Sequence, residues 1–344
     1  MKRRSLYKPV ARVLAGAAAT ALIACAPRPP EYEETRFLMG TVVTARATAP
    51  DEGTARRAVA AAFAAMSAVE RATSYEDPAS ELNRVNRDAA TSPAPASPVL
   101  FETVRAALAA ARATDGYFDP TVGPLVDLYG IKNGRPRWPS DAEVAATLSR
   151  VGYDKVILDE RKRTVSFTAA AMRMDLSGIA PGWAADRAAA AMAAAGASAG
   201  IVDAGGEVAC FGEGPRAGGR WRVGIKNPRG EGLYAYVDLG PGMAACATTG
   251  DYEQRYTAGG YAFSHLFDPH AGRPASYAAG VTVVAPSCAV ADAWATALAV
   301  MPPARAKAAL KRPGAPAALI IRDGGGKTQY ERYGRWPRLV LIRG

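Results

Sequence analysis

The sequence predicts an α+β fold, with strands and helices mixed inside one large domain. Apolar residues fill 49% of the 344 positions and charged residues 22%, the balance of a folded chain with a sizeable core. Stretches that alternate apolar and polar residues, as strands do, are interspersed with alanine-rich stretches of helical period. They do not follow the strict strand-helix alternation of a doubly wound sheet, and no repeat of fixed period is present.

The first segment, "MKRRSLYKPVARVLAGAAATALIACAPRPPEYEE", has a basic start, an apolar run at 10–24 and a proline-rich sequel. The run is short for a membrane-spanning helix. "LIAC" at 22–25 looks like a bacterial lipobox, in which Cys25 becomes the lipidated first residue; an uncleaved anchor or a plain alanine-rich helix is the alternative. The expectation is a signal peptide over 1–24, a linker over 25–34 and a domain over 35–344. That domain would be exported to the periplasmic side of a bacterial membrane and lipid-anchored at Cys25.

Within the domain, "TRFLMGTVVTARATA" reads as a strand and "DEGTARRAVAAAFAAMSAVERAT" as an amphipathic helix with acidic residues at its start. A loop with Pro78 follows, then proline, alanine and serine punctuation at 91–98, then a helix in "PVLFETVRAALAAARATDG" ending at Gly116. "VGYDKVILDERKRTVSFT" reads as two strands around a charged turn, and "MRMDLSGIAPGWAADRAAAAMAAAG" as a strand, a tight turn and a helix. "AGIVDAGGEVACFG", "RWRVGIKNP" and "LYAYVDLGP" are successive strands, "AGVTVVAPSCAVADAWATALAVM" is a strand leading into a helix, and "PAALIIRD" is a late strand.

The formal charge of +10 falls to +5 once Lys2, Arg3, Arg4, Lys8 and Arg12 leave with the signal. The basic residues from Arg305 to Arg343 are scattered among apolar ones without regular aromatic interleaving, which argues against a nucleic-acid partner. Downstream of Cys25 the cysteines are Cys210, Cys246 and Cys288, odd in number and without a CxxC or zinc spacing; one disulfide among them is compatible with the sequence.

Five segments carry residues suited to chemistry. Asp292 and Thr296 in "ADAWATAL" are spaced i, i+4 and project from one helix face, an oxygen pair suited to a hard cation such as Mg²⁺; a capping aspartate and a packing threonine are the alternative. Gly178 and Gly182 in "DLSGIAPGWAAD" allow backbone to approach a ligand ahead of a helix, or merely form a strand-to-helix turn. Asp203 and Glu207 flank a glycine pair, and Thr248, Thr249 and Asp251 cluster around Gly250, where they would serve a phosphate or close a turn. The chain's two histidines stand in "SHLFDPHAG". His265 is matched to accept a proton near neutral pH, with Asp268 three residues along to orient it.

Eight motifs in order resemble the ApbE family, the FAD:protein FMN transferases. They are "MGT" at 39–41, "SYEDPASELNRVN" at 74–86, "TDGYFDPTVGPLVDLYG" at 114–130, "DLSGIAPGW" at 175–183, "DAGGEV" at 203–208, "TTGDYE" at 248–253, "HLFDP" at 265–269 and "ADAWATAL" at 291–298. The resemblance implies Mg²⁺-dependent cleavage of FAD, transfer of FMN through a phosphoester to a Ser/Thr hydroxyl of an acceptor flavoprotein, and release of AMP. It implies that Met39, Tyr75, Tyr117, Phe118, Asp119, Asp175 and Leu266 lie against the flavin nucleotide. It also implies that Asp292, Thr296 and the Gly178 carbonyl hold the metal and that His265 is the base. Asp268 would then support the His265 loop, and His270 would be a spectator. The chain departs from the family pattern at Pro181, often lysine, at Trp183, often tyrosine, and at Ala271, often threonine. Two other functions are compatible with the same residues: an Mg²⁺-dependent FAD pyrophosphatase and a non-catalytic flavin-binding lipoprotein.

Overall fold

The computed structural model describes residues 29–342 except 243, 325 and 326. The expected signal peptide and the lipidation site at Cys25 lie outside the described residues.

The expected first strand is a hairpin. Glu31–Leu38 pairs with Thr41–Thr48 around Met39 and Gly40, whose φ values of 55° and 75° are those of a two-residue hairpin turn. Residues 31–34, expected in the linker, are the first half of the outer strand: in "EYEE" Tyr32 and Glu34 are half-buried while Glu31 and Glu33 are exposed, the alternation of an edge strand. The methionine is held in its left-handed conformation by its own N–H, which donates to Glu70 Oε1 at 2.7 Å.

This hairpin begins an eight-stranded sheet, antiparallel throughout, which continues through Ala199–Ala204, Val208–Phe211, Ala244–Gly250, Gly280–Ala285, Ala317–Gly324 and Lys327–Tyr333. The class is therefore α+β, as the irregular order of strands and helices predicts. The helices are α1 (Glu52–Thr73), α2 (Glu81–Asp88), α3 (Pro98–Ala113), α4 (Gly123–Tyr129), α5 (Asp141–Leu148), α6 (Ala180–Ala194), α7 (Cys288–Val300) and α8 (Pro303–Ala309). Three of them, α1, α6 and α7, pack side by side on one face of the sheet. A three-stranded sheet of Trp221–Lys226, Leu233–Leu239 and Leu339–Leu341 covers the other. The strand Ala317–Gly324 accordingly buries alternate residues on both faces, Ala318 and Ile320 toward the helices, Leu319 and Ile321 toward the small sheet.

The helix starts follow local rules. Asp51 accepts from Thr54 N–H ahead of α1, and Ser97 precedes Pro98 at the start of α3. The short α2, α4 and α5 fall in stretches where no helix was expected. Each is capped or begun by local chemistry, Ser80 for α2 and a Ser140–Glu143 capping box for α5, rather than by a long apolar stripe. Residues 172–176, expected as a strand, pair with no other strand among the described residues. Cys210, Cys246 and Cys288 are free and buried, so no disulfide forms among them. No described helix is long and apolar enough to cross a membrane.

Two contacts fix α7 against α6. Asp186 on α6 accepts from the N–H groups of Cys288 (2.8 Å) and Ala289 (3.0 Å) and from the Ser287 hydroxyl (2.7 Å), capping α7 with a carboxylate. At Gly182 a Cβ would stand 2.5 Å from the Cys288 carbonyl oxygen, so only glycine allows the helices this close. Gly182 therefore serves helix packing, and of the two readings open for it the ligand-facing one does not apply.

Candidate active site

A cavity of about 1060 Å³ opens between the hairpin tip, the segments around 73–76, 117–119 and 175–181, the glycine hairpin at 203–207 and the start of the 265–269 loop. Of the site residues the resemblance implies, all except Asp268 line it: Met39, Tyr75, Tyr117, Phe118, Asp119, Asp175, Gly178, His265, Leu266, Asp292 and Thr296.

At one end, α7 presents Asp292, almost fully buried, and Thr296, one turn later. Asp292 Oδ2 accepts the Gly182 N–H at 3.0 Å; among the described residues Oδ1 has no hydrogen-bond donor. A Cβ built on Gly178 would stand 3.2 Å from Thr296 Oγ1 and 3.3 Å from Phe118 Cε2, so the Gly178 backbone lies directly beside that hydroxyl. The expected carboxylate, hydroxyl and backbone segment thus converge, although the described residues hold no cluster of three or more His, Cys, Asp or Glu suited to a metal. Burial, and then repulsion by Glu253 and Asp186, raises the Asp292 carboxyl above the ordinary range despite the Gly182 bond. Glu207 at the glycine hairpin is raised in the same way, by burial and then by Asp292 and Glu253. Acidic groups held at such a cost in one hollow create a demand for positive charge, and a hard oxygen donor set fits Mg²⁺.

His265 is half-buried, with Nδ1 buried and unpartnered among the described residues. Burial, with a smaller push from Lys132, lowers its proton affinity, so the imidazole is neutral near pH 7 and free to accept a proton. Lys132, which the sequence reading missed, lines the same cavity: its Nζ donates to Ser177 Oγ at 2.9 Å and pairs with Glu76. Against the cost of burial, Asp175 and Glu76 keep it protonated. A lone lysine in "GIKNG" carries no motif, so only the folded arrangement reveals it.

The other predicted residues divide by what their polar atoms do. The Tyr75 hydroxyl donates to Asp127 Oδ1 (2.8 Å) and Gly123 O (3.1 Å), which leaves its ring as a cavity wall. Asp119 is consumed by Thr121 (N–H 2.8 Å, hydroxyl 2.6 Å) and Tyr153 N–H (2.9 Å), and Asp175 accepts the Ser177 N–H at 2.9 Å; both build the walls they line. Asp203 accepts the Gly206 N–H at 2.9 Å and closes the hairpin that turns Glu207 inward. Thr248 and Thr249 belong to a strand and line the cavity, whereas Asp251 is paired with Arg229 at 2.7 Å.

Asp268 supports the loop that follows His265, the role the resemblance implies, and is not among the residues that line the cavity. Its Oδ1 accepts the His270 N–H (2.9 Å) and the Ala271 N–H (3.4 Å), so it shapes the turn after His265 and faces away from the cavity lining. His270 lies outside the cavity too: its Nε2 meets Asp115 O at 3.0 Å and its ring stands edge-on to Tyr117 at 4.6 Å, clasping the loop that carries Tyr117 and Phe118. Of the three departures from the family pattern, Pro181 lines the cavity in the first turn of α6, while half-buried Trp183 packs against the core.

Comparison with known proteins agrees with this geometry. The ApbE family model matches residues 39–320. The FAD:protein FMN transferase of Vibrio cholerae serotype O1 is 33% identical over 254 residues, 73% of this chain and 75% of the relative. That of Escherichia coli K12 is 34% identical over 253 residues, 71% of each. Among solved structures, the ApbE protein of Thermotoga maritima superposes with a TM-score of 0.80 at 31% identity, covering 88% of this chain and 97% of its own. The flavinyl transferase ApbE of Pseudomonas stutzeri, in its apo form, superposes with a TM-score of 0.78 at 27% identity, covering 90% and 96%.

Proposed function

Because the chain belongs to the ApbE family, we propose that it is an FAD:protein FMN transferase, moving FMN from FAD to a Ser/Thr hydroxyl of an acceptor protein. The observation that carries the reading is that His265, with Nδ1 buried and without a hydrogen-bond partner among the described residues, lines the same cavity as Asp292 and Thr296.

In the reaction the hydroxyl oxygen attacks the phosphorus of the FMN half, the bond to the AMP phosphate breaks, and a P–O bond to the acceptor forms. His265 takes the hydroxyl proton, which a neutral imidazole does at physiological pH. Tyr75, Tyr117, Phe118, Met39 and Leu266 supply the apolar walls that orient the flavin nucleotide, and the Asp119 and Asp175 hydrogen bonds keep those walls fixed. Asp292, Thr296 and the Gly178 carbonyl would hold Mg²⁺, which would set positive charge against the pyrophosphate and the departing AMP. Lys132 adds a fixed cation near the same charge.

The "LIAC" segment supports export and lipid anchoring at Cys25 on the periplasmic side. Loss of palmitate labelling in Cys25→Ala would support that placement, and retained labelling would remove it. For the activity, the full chain is incubated with FAD, Mg²⁺ and a Ser/Thr-bearing acceptor. Transfer releases one AMP for each acceptor that gains FMN; AMP with an unmodified acceptor would instead mark the protein as a pyrophosphatase.

A further inference from the structure

A second cavity of about 850 Å³ lies behind Tyr75, and Tyr75, Glu76, Val126 and Lys132 line both it and the active-site cavity. On the far side Arg173 stacks over the Tyr75 ring at 4.7 Å. The charges lining the second cavity are Arg87, Lys132, Arg150 and Arg173 against Glu76 and Asp127. Lys132 pairs with Glu76 and Arg173 with Asp127 at 2.8 Å, so both carboxylates are taken. Arg87 and Arg150 have no carboxylate partner among the described residues; their hydrogen bonds go to Pro78 O (3.3 Å) and Thr147 Oγ1 (3.2 Å). The buried amides are satisfied internally, Asn83 by the carbonyls of Tyr75 and Asp77 (both 2.8 Å) and Asn86 by the backbone of Met174. What the hollow offers a ligand is therefore two unpaired guanidinium forks.

We propose that this second cavity seats an acidic stretch of the acceptor polypeptide beside its accepting Ser/Thr. The proposal rests on the transferase reading, in which the flavin nucleotide fills the first cavity: Tyr75, Glu76, Val126 and Lys132 line both hollows, so a polypeptide seated in the second lies next to the bound nucleotide. The volume falls in the range that encloses a drug-sized ligand or a few residues of chain. Guanidinium forks match carboxylates in pairs, and unneutralised arginines at a mouth select and steer acidic partners.

The test uses the full chain loaded with FAD and two fluorescent peptides, one with a threonine flanked by aspartates and the other with those aspartates replaced by asparagine. Fluorescence anisotropy should show the acidic peptide binding about tenfold tighter, and Arg87→Glu with Arg150→Glu should erase that preference. The milder pair Arg87→Gln and Arg150→Gln should weaken it partway. Flavin fluorescence should report unchanged FAD binding in both variants, showing that the fold persists. Equal binding of the two peptides, a preference that survives charge reversal, or displacement of the peptide by free AMP would overturn the proposal. Failure of the transferase reading would look different: no FMN mass on threonine at any peptide charge, with the anisotropy difference intact.

Discussion

The backbone N–H of Gly182 on α6 donates to Oδ2 of Asp292 on α7 at 3.0 Å, at a point where the two helices approach closely enough to exclude a methyl group. One contact thus couples helix packing to the carboxylate proposed to hold the metal. Gly182→Ala should lower stability by about 1–3 kcal/mol through overpacking, read by denaturant unfolding, and should weaken the response to Mg²⁺ as α7 shifts. A variant with unchanged midpoint would show that α6 yields easily.

Asp292→Asn keeps an acceptor for the Gly182 N–H but removes the charge. In the wild type, Mg²⁺ should raise the Tm, because a ligand that binds only the folded chain stabilises it by mass action. In Asp292→Asn that rise should vanish, while the metal-free Tm holds or increases because a buried carboxyl raised by its surroundings is gone. An Mg²⁺ shift that survives would place the cation elsewhere.

The His265 environment sets a pH dependence. Burial and Lys132 lower its proton affinity below the ordinary value of 6.5, so the transfer rate should hold as pH falls to that value and decline only beneath it. Lys132→Met removes a charge that disfavours the imidazolium, so the declining limb should move to higher pH. Stability has the same sign: the unfolded chain takes the proton more readily, so this contribution is lost as pH drops below 6.5. His265→Gln should flatten that loss in pH-dependent melting curves.

Asp268 is a positioning residue, and its substitution should behave differently from that of a base. Asp268→Ala leaves the His270 and Ala271 N–H groups without their acceptor and should cost about 1–3 kcal/mol of stability. Its pH–rate profile should keep the wild-type limb, and Asp268→Asn should recover most of the loss. A displaced limb would bring the carboxylate back into the chemistry.

These residues show how far the sequence could be read. Asp292, Thr296 and His265 were legible as candidates, because an i, i+4 oxygen pair suits a cation and a histidine suits a proton, but only the fold shows that they line one cavity. The hairpin turn at Met39 and Gly40 was not, because the apolar alternation continues across it and a methionine at positive φ needs a tertiary partner, the Glu70 carboxylate. Asp268 and Asp119 read as site acids because a sequence cannot show which backbone N–H groups a carboxylate will meet. Lys132 was invisible because its meaning comes from Ser177 and Glu76, distant in the chain. The helix α2 was lost to its polar composition and α5 to its shortness, with only the Ser80 and Ser140 caps to mark them.

The most direct test of the central claim is the mass of an acceptor after incubation with FAD and Mg²⁺, using wild-type enzyme and His265→Ala side by side. The wild type should add one FMN to the acceptor, and His265→Ala should add none although it still binds FAD. Free FMN and AMP with an unmodified acceptor, or full transfer by the histidine variant, would contradict the account.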